Sequence, residues 1–172
     1  MKKMSEYDKI LFISECRNDL MHLYKLSKYD SILILFDDHY TGITDRYMDL
    51  YNILRNISTT VNVTMVFVRN DLGILDIIIS ALFTNNICDK GASVIFEEIK
   101  CASNTYVTYE ECNECELLEI SQIEQGFIDM LRPLIDLDII PKANNIYEFN
   151  KLDLDNITAA ELLKKGLMSE LI

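Results

Sequence analysis

The 172-residue sequence suits one domain, and a chain of this length buries a substantial core without disulfides or metal. Nearly half of its residues are apolar and only two are proline, which excludes intrinsic disorder for the body of the chain. With 28 acidic against 16 basic residues, the formal net charge of −12 argues against direct nucleic-acid binding by this chain, which needs a basic patch.

Residues 9–14 (KILFIS) read as a buried strand. Residues 17–28 place Leu20, Leu23 or Tyr24 and Leu26 at spacings a helix uses. A second buried strand, residues 31–36 (SILILF), closes on Asp37 and Asp38. Thr44 or Asp45 caps a helix in which Tyr47, Leu50, Leu54 and Ile57 form one apolar face. Residues 61–68 (VNVTMVFV) predict a third strand, and residues 71–83 a helix that is apolar almost all round. Such a helix needs cover on more than one side.

The pattern changes after Asn85-Asn86. Residues 93–100, 105–110 and 116–120 predict three antiparallel strands, with Ala102-Ser103-Asn104 as a turn. Ser121 and Glu124 then predict a capping box, opening a helix with Ile123, Phe127 and Leu131 on one face, which Pro133 kinks or ends. Thr158 and Glu161 predict a second box, for a helix over 159–171. The expected fold is therefore α/β: a mostly parallel sheet flanked by helices in the first half, with an antiparallel hairpin extension and helices in the second. The expected organisation is a single domain over residues 1–172, with 141–172 as a C-terminal appendage ending in an amphipathic helix.

The charged N-terminal stretch has no signal-peptide character, and the longest apolar run, residues 72–83, is broken by Gly73 and Asp76 and is too short to span a bilayer. Five cysteines outside a secretory context fit a reducing compartment, so an intracellular setting, cytoplasmic or nuclear, without membrane attachment is expected.

Chemistry-bearing residues gather at one predicted sheet edge: Glu15, Asp37, Asp38, His39, Arg69 and Asp71. Ligands bind open parallel sheets at that edge, and adjacent carboxylates there can hold Mg²⁺ or orient water, which makes Glu15, Asp37 and Asp38 the catalytic candidates. Cys112 and Cys115 have a zinc-chelating spacing, which Cys88 and Cys101 would complete if the hairpins met. Their acidic neighbours Glu111, Glu114 and Glu116 disfavour a reactive thiolate. No glycine precedes Gly42, and no Walker A or G-x-G-x-x-G motif occurs, so no cofactor is expected beyond Mg or Zn at these candidates.

Two of these segments carry a resemblance to a family. ILFISE, ending on Glu15, resembles the strand that follows the phosphate-loop helix of RecA/KaiC-like ATPases, and SILILFDD resembles their Walker B strand. The resemblance covers roughly residues 9–125 but lacks the phosphate loop. It implies a degenerate member: a non-catalytic regulatory or interaction subunit, working through a protein partner or as a homo-oligomer in a recombination- or repair-type complex. The rival expectations are a Mg-dependent phosphoryl-transfer or hydrolytic enzyme using the strand-end acids, and a small zinc-stabilised binding module.

Overall fold

The computed structural model describes residues 2–40, 42–101 and 114–172. After a 3-10 turn at Met4–Glu6 come β1 (Lys9–Phe12), α1 (Ile13–Asn18), 3-10 turns at Leu20–Leu23 and Leu26–Lys28, β2 (Ser31–Phe36), β3 (Gly42–Ile43), α2 (Asp45–Ser58), β4 (Asn62–Phe67), β5 (Asp71–Leu72) and α3 (Ile74–Ser80). The chain continues through β6 (Asn85–Cys88), β7 (Ser93–Val94), β8 (Lys100–Cys101), α4 (Glu114–Asp136), α5 (Ile146–Asn150), β9 (Ile157–Thr158), α6 (Ala159–Lys164) and β10 (Glu170–Leu171).

Five strands form one wholly parallel sheet in the order β1-β2-β4-β6-β10. Every crossover steps the same way along the sheet. With right-handed crossovers, such a sheet keeps its helices on one face. The burial pattern agrees. Ile32, Ile34 and Phe36 of β2 and Val63, Met65 and Phe67 of β4 point into one large core with Ile13, Tyr47, Leu50, Leu75 and Ile78 from the helices. The alternate residues Leu33, Val66 and Ile87 form a much smaller cluster, packed with Tyr7, Ile10 and Leu35. Period-2 alternation thus assigns a side to each residue, and burial on both sides explains why β2 and β4 read as near-continuous apolar runs.

A structural repeat is built on this sheet. β2, β4 and β6 are each followed by a two-residue strand, β3, β5 and β7, before the chain reaches its next helix. These short strands make a second layer: β3 pairs with β8, and β5 pairs with β7, which pairs with β9. The layer lies beyond the C-terminal ends of the long strands in chain order, and it frames the sheet edge.

The α/β architecture with a mostly parallel sheet is as expected, but the second half differs in detail. Residues 116–120, expected as a strand, lie within α4. Leu117, Ile120, Ile123, Phe127 and Leu131 recur at spacings of three and four, so the segment extends the following helix to its N-terminal side and α4 opens upstream of the expected box at Ser121. Pro133 sits inside α4, which runs on to Asp136. The expected strand at 105–110 lies outside the described residues. Among the described residues, antiparallel pairing joins β7 to β9. The Thr158–Glu161 capping box forms, with the Thr158 amide donating to Glu161 Oε2 at 2.8 Å, and α6 ends at Lys164. Gly166 follows at φ 82°, a left-handed position that glycine occupies without strain and that stops the helix. The chain then turns into β10, which pairs with β6.

Candidate active site

The edge at the C-terminal ends of the strands carries a polar cluster centred on His39. Its floor is aromatic: Phe36 packs on Phe67 with ring centroids 5.0 Å apart, and Tyr40 packs edge-on against Tyr47 at 5.4 Å. β2 ends at Phe36 and the next four residues carry the chain over this floor. His39 therefore stands above the core with 18% of its side chain exposed.

Asp76 holds the ring from below. It lies in the first turn of α3, where a carboxylate satisfies amides that have no helical partner. Its Oδ2 accepts the Gly73 amide at 2.7 Å and His39 Nδ1–H at 2.9 Å, and its Oδ1 accepts the Tyr40 amide at 3.3 Å. Asp76 is only 1% exposed, on a helix whose residues are all buried. On the far side of the ring, Glu97 Oε2 lies 3.4 Å from His39 Nε2. Three elements, the β2 end, α3 and the stretch after β7, thus meet on one imidazole.

Both partners have raised pKa values, for different reasons. Burial raises the Asp76 pKa, against the lowering effect of the Gly73 amide and of His39. Burial of His39 would lower its pKa, but the Asp76 carboxylate, joined by Glu97, outweighs it and holds the ring above its ordinary value. The site therefore favours an imidazolium between two carboxylates.

Gly73 makes this approach possible. A Cβ at that position would stand 2.5 Å from His39 Cε1 and 3.2 Å from Asp76 Oδ2. The ring fills the space that a side chain at the head of α3 would need. Beside it is a recess of about 10 Å³, lined by His39, Tyr40, Gly73, Glu97 and Glu98 among others. That volume matches one water molecule.

The acids singled out from sequence are placed differently. Asp37 ties the end of β2 to the first turn of α1, its Oδ1 accepting the Ser14 amide at 2.8 Å and its Oδ2 the Ser14 hydroxyl at 2.5 Å. Asp38 Oδ1 accepts the His39 amide at 2.8 Å, which braces the loop that carries the ring. Glu15 is exposed in the first turn of α1, since β1 stops at Phe12 and not at the acid. Arg69 and Asp71 are exposed. The sequence places His39 at this edge but not its two partners: Asp76 interrupts an apolar run, and Glu97 falls in a predicted strand. The available signal was a lone acid in a helix otherwise apolar all round, which must find partners to be buried.

Of the zinc candidates, Cys88 is buried and free, and burial pushes its thiol pKa up to about 11. Cys112 and the side chains of Cys101 and Cys115 lie outside the described residues. No three His, Cys, Asp or Glu side chains gather to hold a metal among the described residues. No described helix is long and apolar enough to cross a membrane.

No family model matches the chain, and no curated protein matches its sequence. Solved structures do share its shape. ClpP1 from Listeria monocytogenes superposes with a TM-score of 0.54 at 12% identity, over 95% of this chain and 90% of that one. The 1510-N membrane-bound stomatin-specific protease superposes with a TM-score of 0.55 at 14% identity, over 95% and 78%. A second structure of that protease, in complex with a substrate peptide, gives 0.53 at 16% identity, over 95% and 74%. These likenesses overturn the RecA/KaiC-like reading, and the non-catalytic recombination-type subunit inferred from it falls as well. The physical reason is legible in the sheet: a doubly wound nucleotide-binding sheet reverses its strand order at a switch point, whereas β1-β2-β4-β6-β10 never reverses. The apolar strands were real, but strand-plus-acid does not specify the winding that joins the strands. The chain shares its α/β fold, with a mostly parallel sheet flanked by helices, with these solved structures.

Proposed function

We propose that this protein is a hydrolase of acyl bonds, peptide, ester or thioester, and that His39, Asp76 and Glu97 are its working residues. The observation that carries the reading is the His39 ring held between Asp76 and Glu97 beside a recess the size of one water. In this reading Glu97, 57% exposed, takes a proton from a water in the recess as it attacks the substrate carbonyl. His39, kept protonated by Asp76, donates to the developing oxyanion and then to the leaving group. Asp76 is a positioning residue, fixing the ring by its Nδ1–H. Water serves as the nucleophile, because Gly73 puts no side chain opposite the ring. The fold shared with two proteases supports an acyl substrate. The free, buried Cys16 and Cys88 support a reducing compartment for the protein.

The test is a turnover assay of the full chain against fluorogenic peptides, p-nitrophenyl esters and acyl thioesters. Wild type should turn over at least one class, and His39→Gln and Glu97→Gln should each lower kcat by about 10²–10⁴-fold with little change in KM. Equal rates in wild type and both variants, or no turnover of any class by wild type, would overturn the proposal.

A further inference from the structure

A second surface lies away from the His39 site. The 3-10 turns at Leu20–Leu23 and Leu26–Lys28 face the C-terminal half of α2 across a groove of about 300 Å³. Leu23, Tyr24, Ile53 and Ile57 give it an apolar lining, with Ser27 and Asn56 at its polar margin. Beside it, Met21 and Tyr24 are 63% and 61% exposed, which is unusual for large apolar side chains that sit together.

The charge around this groove differs from that of the rest of the molecule. Lys25 follows Tyr24, Lys28 follows Ser27 and Arg55 precedes Asn56, and all three are exposed. Residues 20–29 and 50–61, which build both walls, contain no Asp or Glu, in a chain that has 28. Lys28 Nζ stands 4.9 Å from the Tyr29 ring centroid and the Arg55 guanidinium 6.0 Å from that of Tyr51. Two of the three cations thus lie along aromatic surface, and among the described residues none of the three forms an ion pair.

We infer that this groove docks an acidic segment of a partner protein, which seats one or two large apolar side chains between the turns and α2 while its carboxylates meet Lys25, Lys28 and Arg55. Charge complementarity selects this occupant. A second copy pairing through the same patch would set the three cations against themselves. A bilayer would need a convex apolar projection, whereas the lining residues form a hollow. The segment gains affinity from desolvated apolar anchors and selectivity from the flanking charges.

A random dodecapeptide library displayed on phage, selected on the full chain, tests the inference. Selected peptides should place Asp or Glu around Leu, Phe or Met, and their binding should weaken as salt is raised. Measured by fluorescence anisotropy, the selected peptide should lose at least about tenfold in affinity for Ile53→Glu and for the combined Lys25→Glu, Lys28→Glu and Arg55→Glu variant. The triple variant changes only exposed side chains, and circular dichroism should match that of wild type. The inference is overturned if no peptide is enriched, if selected peptides lack acids, or if they bind the triple variant as tightly as wild type. Sedimentation with phosphatidylglycerol vesicles in the absence of any selectable peptide would also overturn it, in favour of a membrane surface.

Discussion

Substituting Gly73 probes the tightest approach found at a glycine. A methyl group there would collide with His39 Cε1, so the ring must shift from its place between Asp76 and Glu97. Gly73→Ala should therefore cost about 1–3 kcal/mol in urea unfolding. His39→Ala made on top of it should recover part of that loss, as a double-mutant cycle would show, and purely additive costs would mean the ring is not what the methyl group meets. The same ring sets a pH dependence. The folded-state pKa of His39 is raised, so its pairing stabilises the fold fully below the unfolded value of about 6.5 and is lost as pH rises through the folded value. Asp76 is also raised, by burial, so its cost likewise grows as pH rises from its ordinary value to its folded one and adds to the same trend. Thermal stability should thus fall as pH rises above the ordinary histidine value of about 6.5, and His39→Gln should flatten that slope. A wild-type curve that is flat or rising over this range would contradict the pairing. Recognition at this scale was uneven: His39 is visible in the sequence as a loop histidine beside two aspartates, whereas Glu97 reaches it only through the winding of the chain between β2 and β7.

At the scale of elements, legibility followed burial. The strand at Ser31–Phe36 is plain in sequence because its apolar run is buried on both faces. The strand at Asn85–Cys88 was missed because NNIC opens with two asparagines, residues that favour turns. The second of them explains the exception. Asn86 is fully buried, and its Nδ2 lies 2.7 Å from Ser80 O and 2.9 Å from both Phe83 O and Leu167 O, so it bonds the end of α3 to the C-terminal segment. Among the described residues its Oδ1 has no partner, a cost the amide carries while it serves those carbonyls. Asn86→Asp would aim a carboxylate at three carbonyl oxygens. It should destabilise by about 3 kcal/mol or more, exceeding Asn86→Ala, in chemical denaturation. If the two substitutions cost the same, the carbonyls are not what the amide serves. The segment 116–120 failed in the opposite direction: five residues fit a strand, and only the spacing carried through to Leu131 shows a helix.

The whole molecule is a sheet wound in one direction, and this was the least legible property. Alternating strands and helices announce an α/β parallel sheet, but the order in which strands lie side by side depends on contacts distant in sequence, which no local pattern encodes. Hence an apolar strand closing on an acid suggested the wrong α/β family while the fold class was correct. One consequence concerns the last strand. Ser169 and Ile172 donate their amides to Asn86 O and Cys88 O, and the Lys90 amide donates to Ile172 O. Removing residues 169–172 would leave β6 as an open parallel edge. The shortened chain should show a lower unfolding midpoint and concentration-dependent association in light scattering. A truncated protein that stays monomeric and equally stable would show that β10 is dispensable.

The pairing of β10 with β6 also bears on how the protein is made. Ser169 Oγ and Asn86 O, which bond at the seam between the two segments, are 83 residues apart in the chain. On the ribosome, β6 emerges long before the strand that covers it, and loop closure over that distance is slow relative to local helix formation. The nascent chain therefore passes through an interval in which four strands can be assembled and β6 is uncovered. During that interval the open β6 edge can pair with another chain, so the yield of folded protein should rise when synthesis is slowed or the temperature lowered.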